Sequence, residues 1–93
     1  MINMVEIANM AQWKIREHKE FVTGVSFMMK EFAKNKTYNG DKKDFAKYLT
    51  SKIEQTTINM LIHKDNAELL NIHIGSLALF NAMLQVIMEL KEK

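Results

Sequence analysis

Residues 69–88 read LLNIHIGSLALFNAMLQVIM, twenty positions without a formal charge between Glu68 and Glu89. Fourteen of the twenty are apolar. On a helical projection they cover roughly two-thirds of the circumference, where an ordinary surface helix carries an apolar stripe somewhat over 100° wide. A helix with that much apolar surface has to be surrounded by its own chain, by copies of itself, or by lipid. The stretch therefore bears on fold and assembly together.

The surrounding chain is short. Its 93 residues make a single domain, residues 1–93, that buries only about 60–65% of its unfolded surface and folds with little margin. There is no cysteine and no proline, and glycine occurs three times. Neither disulfides nor thiolate metal sites are available, and little interrupts helix. A net charge of +2 is too small to mark a nucleic-acid binder by itself. Residues 1–10 include Glu6 and lack a basic start followed by an apolar core, so a secretory signal is not expected and the location reads as cytoplasmic. A membrane partner is not expected either. Asn71, His73, Asn81 and Gln85 interrupt the apolar run, and each would need a partner in lipid. Abundant Lys, Asn, Ile and Met point to an AT-rich source such as a phage or mobile element.

Upstream, a seven-residue repeat runs through residues 3–34. One row is Met1, Ala8, Ile15, Val22 and Met29; the other is Met4, Ala11, His18, Val25 and Phe32. That is the seam of a helix packed lengthwise on another, with Gly24 the expected bend. Residues 35–40, NKTYNG, read as a turn. Asp41, with Asp44 three residues on, caps a second helix over residues 42–63. Its core row is Ala46, Leu49, Ile53, Thr56, Met60 and His63, joined near the end by Ile58, Leu61 and Ile62. The capping-box spacing from Asp65 to Glu68 begins a third helix over residues 66–92. The expected fold is all-α: an up-down-up three-helix bundle that packs further helices by self-association.

The reason for self-association is a surplus. In such a bundle a helix hides about eight of twenty positions against two neighbours, leaving roughly six apolar side chains of the third helix uncovered. At ~100 Å² each, that approaches the ~800 Å² per partner of a standard interface. The expected contact surface takes Leu70, Ile72, Leu79, Met83 and Val86 from the third helix. The first helix adds Met10, Trp13 and Phe27, which lie off its seam; Trp is the type most enriched at binding hot spots. Helix rise also places His18, Thr56 and His73 at one level, as a buried polar layer that fixes register.

Catalytic groups are sparse. Glu17-x-x-Glu20 followed by Asp41-x-x-Asp44 resembles the acidic pairs of MazG-like nucleotide pyrophosphohydrolases, small helical oligomers that hold magnesium on such carboxylates. The resemblance covers four residues and implies a nucleotide hydrolase as a minor alternative. Against it, Glu17 and Glu20 project away from the seam, whereas metal ligands converge across facing helices. Asp41 and Asp44 already start a helix. No phosphate loop and no activated nucleophile is visible, so no catalytic residue, cofactor or metal is assigned and an enzyme is not expected.

The polar site with the clearest basis is the basic turn. Lys30, Lys34, Lys36, Lys42, Lys43, Lys47 and Lys52 face three carboxylates, a local +4 in a chain whose remainder is −2. Tyr38 sits at its tip. Repeated in an oligomer, Lys34, Lys36, Tyr38, Lys42, Lys43 and Lys47 would contact phosphates of a nucleotide or nucleic acid. The leading expectation is a non-catalytic structural or adaptor protein that binds itself and other proteins; the phosphate binder is second.

Overall fold

A computed structural model describes residues 1–90. The described residues are helical, as expected, but with four helices rather than three: α1 (Met4–Ile15), α2 (Val22–Lys34), α3 (Lys42–Ile62) and α4 (Ala67–Glu89). Two-residue strands β1 (Ile2–Asn3) and β2 (Thr37–Tyr38) pair antiparallel, Ile2 with Tyr38.

The helix expected over residues 3–34 is broken, and not at Gly24. Arg16 to Glu20 are five consecutive polar residues with nothing to bury. The backbone turns extended at His18, passes through a 3-10 turn (Lys19–Phe21) and enters α2. At the end of α1 the Arg16 side chain donates to the Trp13 carbonyl at 2.5 Å, satisfying an acceptor that a continuing helix would have used. α2 then runs back along α1. The pair is closed by the β1–β2 ladder and by Met4 N–H donating to Lys36 O at 2.7 Å. Fully buried Ala8 and Ala11 let α1 approach its neighbours closely.

The starts of α1, α3 and α4 are each secured by a side chain, whereas α2 continues from the 3-10 turn without one. Asn3 accepts from Glu6 N–H at 3.0 Å. Asp41 and Asp44 form the expected reciprocal box, Asp44 N–H reaching Asp41 Oδ1 at 2.8 Å. Asn66, rather than Asp65, caps α4 by accepting from Leu69 N–H at 3.1 Å. The break between α3 and α4 falls where it was expected, and α4 closes at Glu89; the end of the range expected to residue 92 lies outside the described residues.

α4 is the hub and packs against α1, α2 and α3. Phe45 and Leu49 of α3 meet Leu79 and Met83 of α4 in the fully buried centre. Phe32 packs edge-on to Phe80 at 6.5 Å, and Tyr38, Phe45 and Tyr48 form an aromatic trio at the base of α3. α2 crosses α4 where Gly24 meets Gly75: a Cβ on Gly24 would lie 2.5 Å from the Gly75 Cα. Glycine is required there because backbone touches backbone.

Candidate functional site: the exposed apolar faces

α1 and α2 are short and α3 and α4 are long, so three neighbours do not wrap the hub completely. The positions of α4 that face them are buried: Ser76, Leu79, Phe80, Met83, Val86 and Ile87. On its opposite side Leu70, Ile74, Leu77 and Leu84 are only half-buried, and Asn81 and Met88 are exposed. The same side of α3 presents half-buried Ala46, Ile53 and Met60. A second apolar cluster caps the hairpin end, where Ile58, Leu61 and Ile62 are 57%, 69% and 67% exposed. Towards the other end of the 45 Å long axis, Lys14 pairs with Glu89 at 3.1 Å, which sets the adjacent Trp13 beside the C-terminus of α4. Trp13 is 65% exposed, with the Arg16 guanidinium 4.4 Å over its ring.

These positions divide the contact surface expected from the sequence. Met10, Trp13 and Phe27 lie outside, and Leu70 and Ile72 lie at the margin. Leu79, Met83 and Val86 do not belong to an interface. They are at most 2% exposed, inside the chain's own core, because splitting the first helix gives α4 a third neighbour. Ile58, Leu61, Ile62 and Ile74 were missed. The first three sat at the end of a row read as core, and nothing local says that α2 stops short of them.

The expected polar layer is not assembled. His18 lies on the exposed loop, 3.4 Å from Glu20, because the chain leaves α1 before reaching it. Thr56 is buried and lines a cleft of about 300 Å³ with His73, Lys52, Gln55 and Ser76. The partner of His73 is His63, just past α3, with Nδ1 of His63 3.0 Å from Nε2 of His73. The ring centroids are 5.2 Å apart and the planes differ by 16°. That separation follows only if the nitrogen–nitrogen line runs through both ring centres, so the rings meet edge to edge. One nitrogen donates and the other accepts.

Partial burial, and next the charge of His63, hold the His73 imidazole below the usual histidine range. Folded His73 therefore resists protonation more than the unfolded chain does. Its contribution to stability is complete above the ordinary histidine pKa of ~6.5 and is lost as the pH falls below it. Thermal melts should show a larger drop in midpoint from pH 7 to pH 5 for the native protein than for His73→Gln. Parallel behaviour would contradict this assignment.

The basic turn is less available than its composition suggests. Lys34 pairs with Glu31 at 3.6 Å, and the Lys42 ammonium donates to the Leu90 carbonyl. Tyr38 is not a free stacking platform: its ring is half-buried in the trio and its hydroxyl donates to Asp44 O at 3.4 Å. Lys36, Lys43 and Lys47 are exposed. The two acidic pairs stay apart in role, Glu20 beside His18 and Asp41 with Asp44 inside a helix cap. Among the described residues no three imidazole or carboxylate groups converge to hold a metal ion, so the centre implied by the pyrophosphohydrolase resemblance is not formed there. No protein-family model, curated protein or solved structure matches the chain.

Proposed function

We propose that this chain is a non-catalytic helical adaptor that works by binding proteins, copies of itself included. The observation that carries the reading is the outward side of α4, where Leu70, Ile74, Leu77 and Leu84 stay half-exposed and Met88 exposed after three helices have packed on the hub. Contiguous apolar surface left accessible in this way is where a protein partner docks. The exposed hairpin end and Trp13 then supply contacts for further proteins, at opposite ends of the molecule.

Light scattering at about 50 μM tests the reading, with 50 and 200 mM salt as the discriminating pair. The expected mass is above 10.9 kDa and insensitive to salt, because the contact is apolar. A 10.9 kDa particle removes self-binding, and an assembly that dissolves steeply with salt transfers the contact to the lysines. Trp13→Ala is expected to leave the melting midpoint nearly unchanged, within about 0.5 kcal/mol, as for other surface positions. A fall of several degrees would show the indole to be packed and unavailable to a partner.

A further inference from the structure

The outward face of α4 has a finer pattern than a patch. Its members are Leu70, Ile74, Leu77, Asn81, Leu84 and Met88, spaced alternately four and three residues apart, and none is buried. Leucine occupies every second place, at 70, 77 and 84; Ile74, Asn81 and Met88 occupy the others. In a two-stranded parallel coiled coil, leucine at one set of seam positions with β-branched residues at the other is the favoured combination, and a single asparagine among the latter fixes register.

We infer that two copies of this chain pair in parallel about a two-fold axis through this seam, α4 against α4, with the Asn81 amides facing each other across the axis. The inference rests on the self-binding reading above and names its face and orientation. Three observations support the second copy as occupant.

The first is the polar position. Asn81 donates to the Leu77 carbonyl at 3.1 Å, which leaves its carbonyl oxygen and second N–H facing outward. An antiparallel pairing about the middle of the seam would set that amide against Leu77 of the second copy, polar on apolar. The parallel pairing sets amide on amide, and each partner satisfies the other.

The second is the flank. On the same side of the hairpin, α3 carries Ala46, Thr50, Ile53, Thr57 and Met60, again four and three apart. Thr50 and Thr57 donate their hydroxyls back to Ala46 O at 2.9 Å and Ile53 O at 2.8 Å. Their polar atoms are thus already engaged, so this row can be covered without stranding a hydroxyl. In the pair, each α3 settles into the groove between the two α4 helices, giving a four-helix core.

The third is size. From residue 70 to residue 88 the seam is ~27 Å long, and two helices side by side are ~20 Å wide. A face of that extent is of the order of the ~800 Å² per partner of a standard interface.

The natural absence of cysteine makes thiol cross-linking a clean test. Asn81→Cys should oxidise rapidly to a covalent species of twice 10.9 kDa, since residues facing across a parallel seam approach within disulfide reach. Glu54→Cys, exposed on the outer face of α3, should remain single under the same conditions. Leu77→Glu should raise the dissociation constant on the order of a hundredfold, because pairing would then bury two opposed carboxylates.

Cross-linking of Asn81→Cys no faster than Glu54→Cys overturns the parallel seam, and a Leu77→Glu protein whose dissociation constant equals the native one does the same. Both variants are read beside the native chain. A monomeric native protein sinks the self-binding reading along with the seam. A native assembly that ignores both substitutions sinks the seam alone.

Discussion

Gly24→Ala is expected to lower the melting midpoint by roughly 15 °C, a large effect for one added methyl group. The new Cβ would collide with the Ile72 carbonyl and lie 2.5 Å from both the Gly75 Cα and the Ser76 nitrogen. All three are backbone atoms of α4, so no side chain can rotate away. The helices must separate instead, and the gap loosens Val25, Leu79 and Phe80 around it. Overpacking costs about 3 kcal/mol at its usual upper end, against a total stability on the order of 5–10 kcal/mol for a domain this size. Gly75→Ala should cost a similar amount, because its Cβ would meet Gly24 and the Phe21 carbonyl from the other side. The double variant should cost less than the two losses added, since both open one crossing. Circular-dichroism melts read all three. A shift under about 5 °C for either single variant would mean that the helices do not touch backbone to backbone.

Leu79→Ala is expected to cost about 3 kcal/mol of folding stability, within the 2–5 kcal/mol range of buried leucine truncations. Leu79 is 0% exposed and packs beside Met83 at the centre of the molecule. The experiment separates two assignments of the same residue. As a core residue, its truncation lowers stability equally at every protein concentration. As an interface residue, it would weaken association and spare the isolated protomer. Denaturant melts at low and high concentration distinguish the two, and a loss confined to high concentration would contradict the core assignment.

The Asp41–Asp44 cap and the α3–α4 break were legible because each has a local cause in a capping side chain; residues 35–40 do join two helices, but they hold strand β2 and no residue there takes a positive φ. The break after Ile15 was harder to see. The seven-residue spacing continues in phase from Ile15 through His18 to Val22, so the repeat bridges a segment the backbone does not follow as helix. The stronger signal was the run of five polar residues, which no seam tolerates. Read as unbroken, the first helix puts His18 in a buried layer it never enters. It also gives α4 one neighbour too few, which leaves Leu79, Met83 and Val86 for an interface. The His63–His73 contact depends on how a side chain just beyond α3 reaches α4, which helix rise does not encode.

The seam of α4 is a different case. Its residues are plain in the sequence, but in a stretch where fourteen of twenty are apolar several rows compete. Packing removes the competitors by burying them against α1, α2 and α3. What is not fully buried includes Leu69, Ile72 and Ala78 as well as the row with leucine at every seventh residue and one asparagine near its middle. The surplus is smaller than the roughly six uncovered side chains expected: Leu70, Ile74, Leu77 and Leu84 are half-buried, and Met88 is the exposed large apolar residue of α4. Pairs β1 and β2 left no trace for a related reason: two residues per strand are too few to show alternation.

The claim that the outer side of α4 is covered by a second copy is tested most directly by melting the native protein at 2 and 200 μM. Pairing that accompanies folding makes the midpoint depend on concentration, and a hundredfold increase contributes about 2.7 kcal/mol per dimer. The account predicts a midpoint several degrees higher at the upper concentration. An identical midpoint, with a mass of 10.9 kDa at both concentrations, would contradict it.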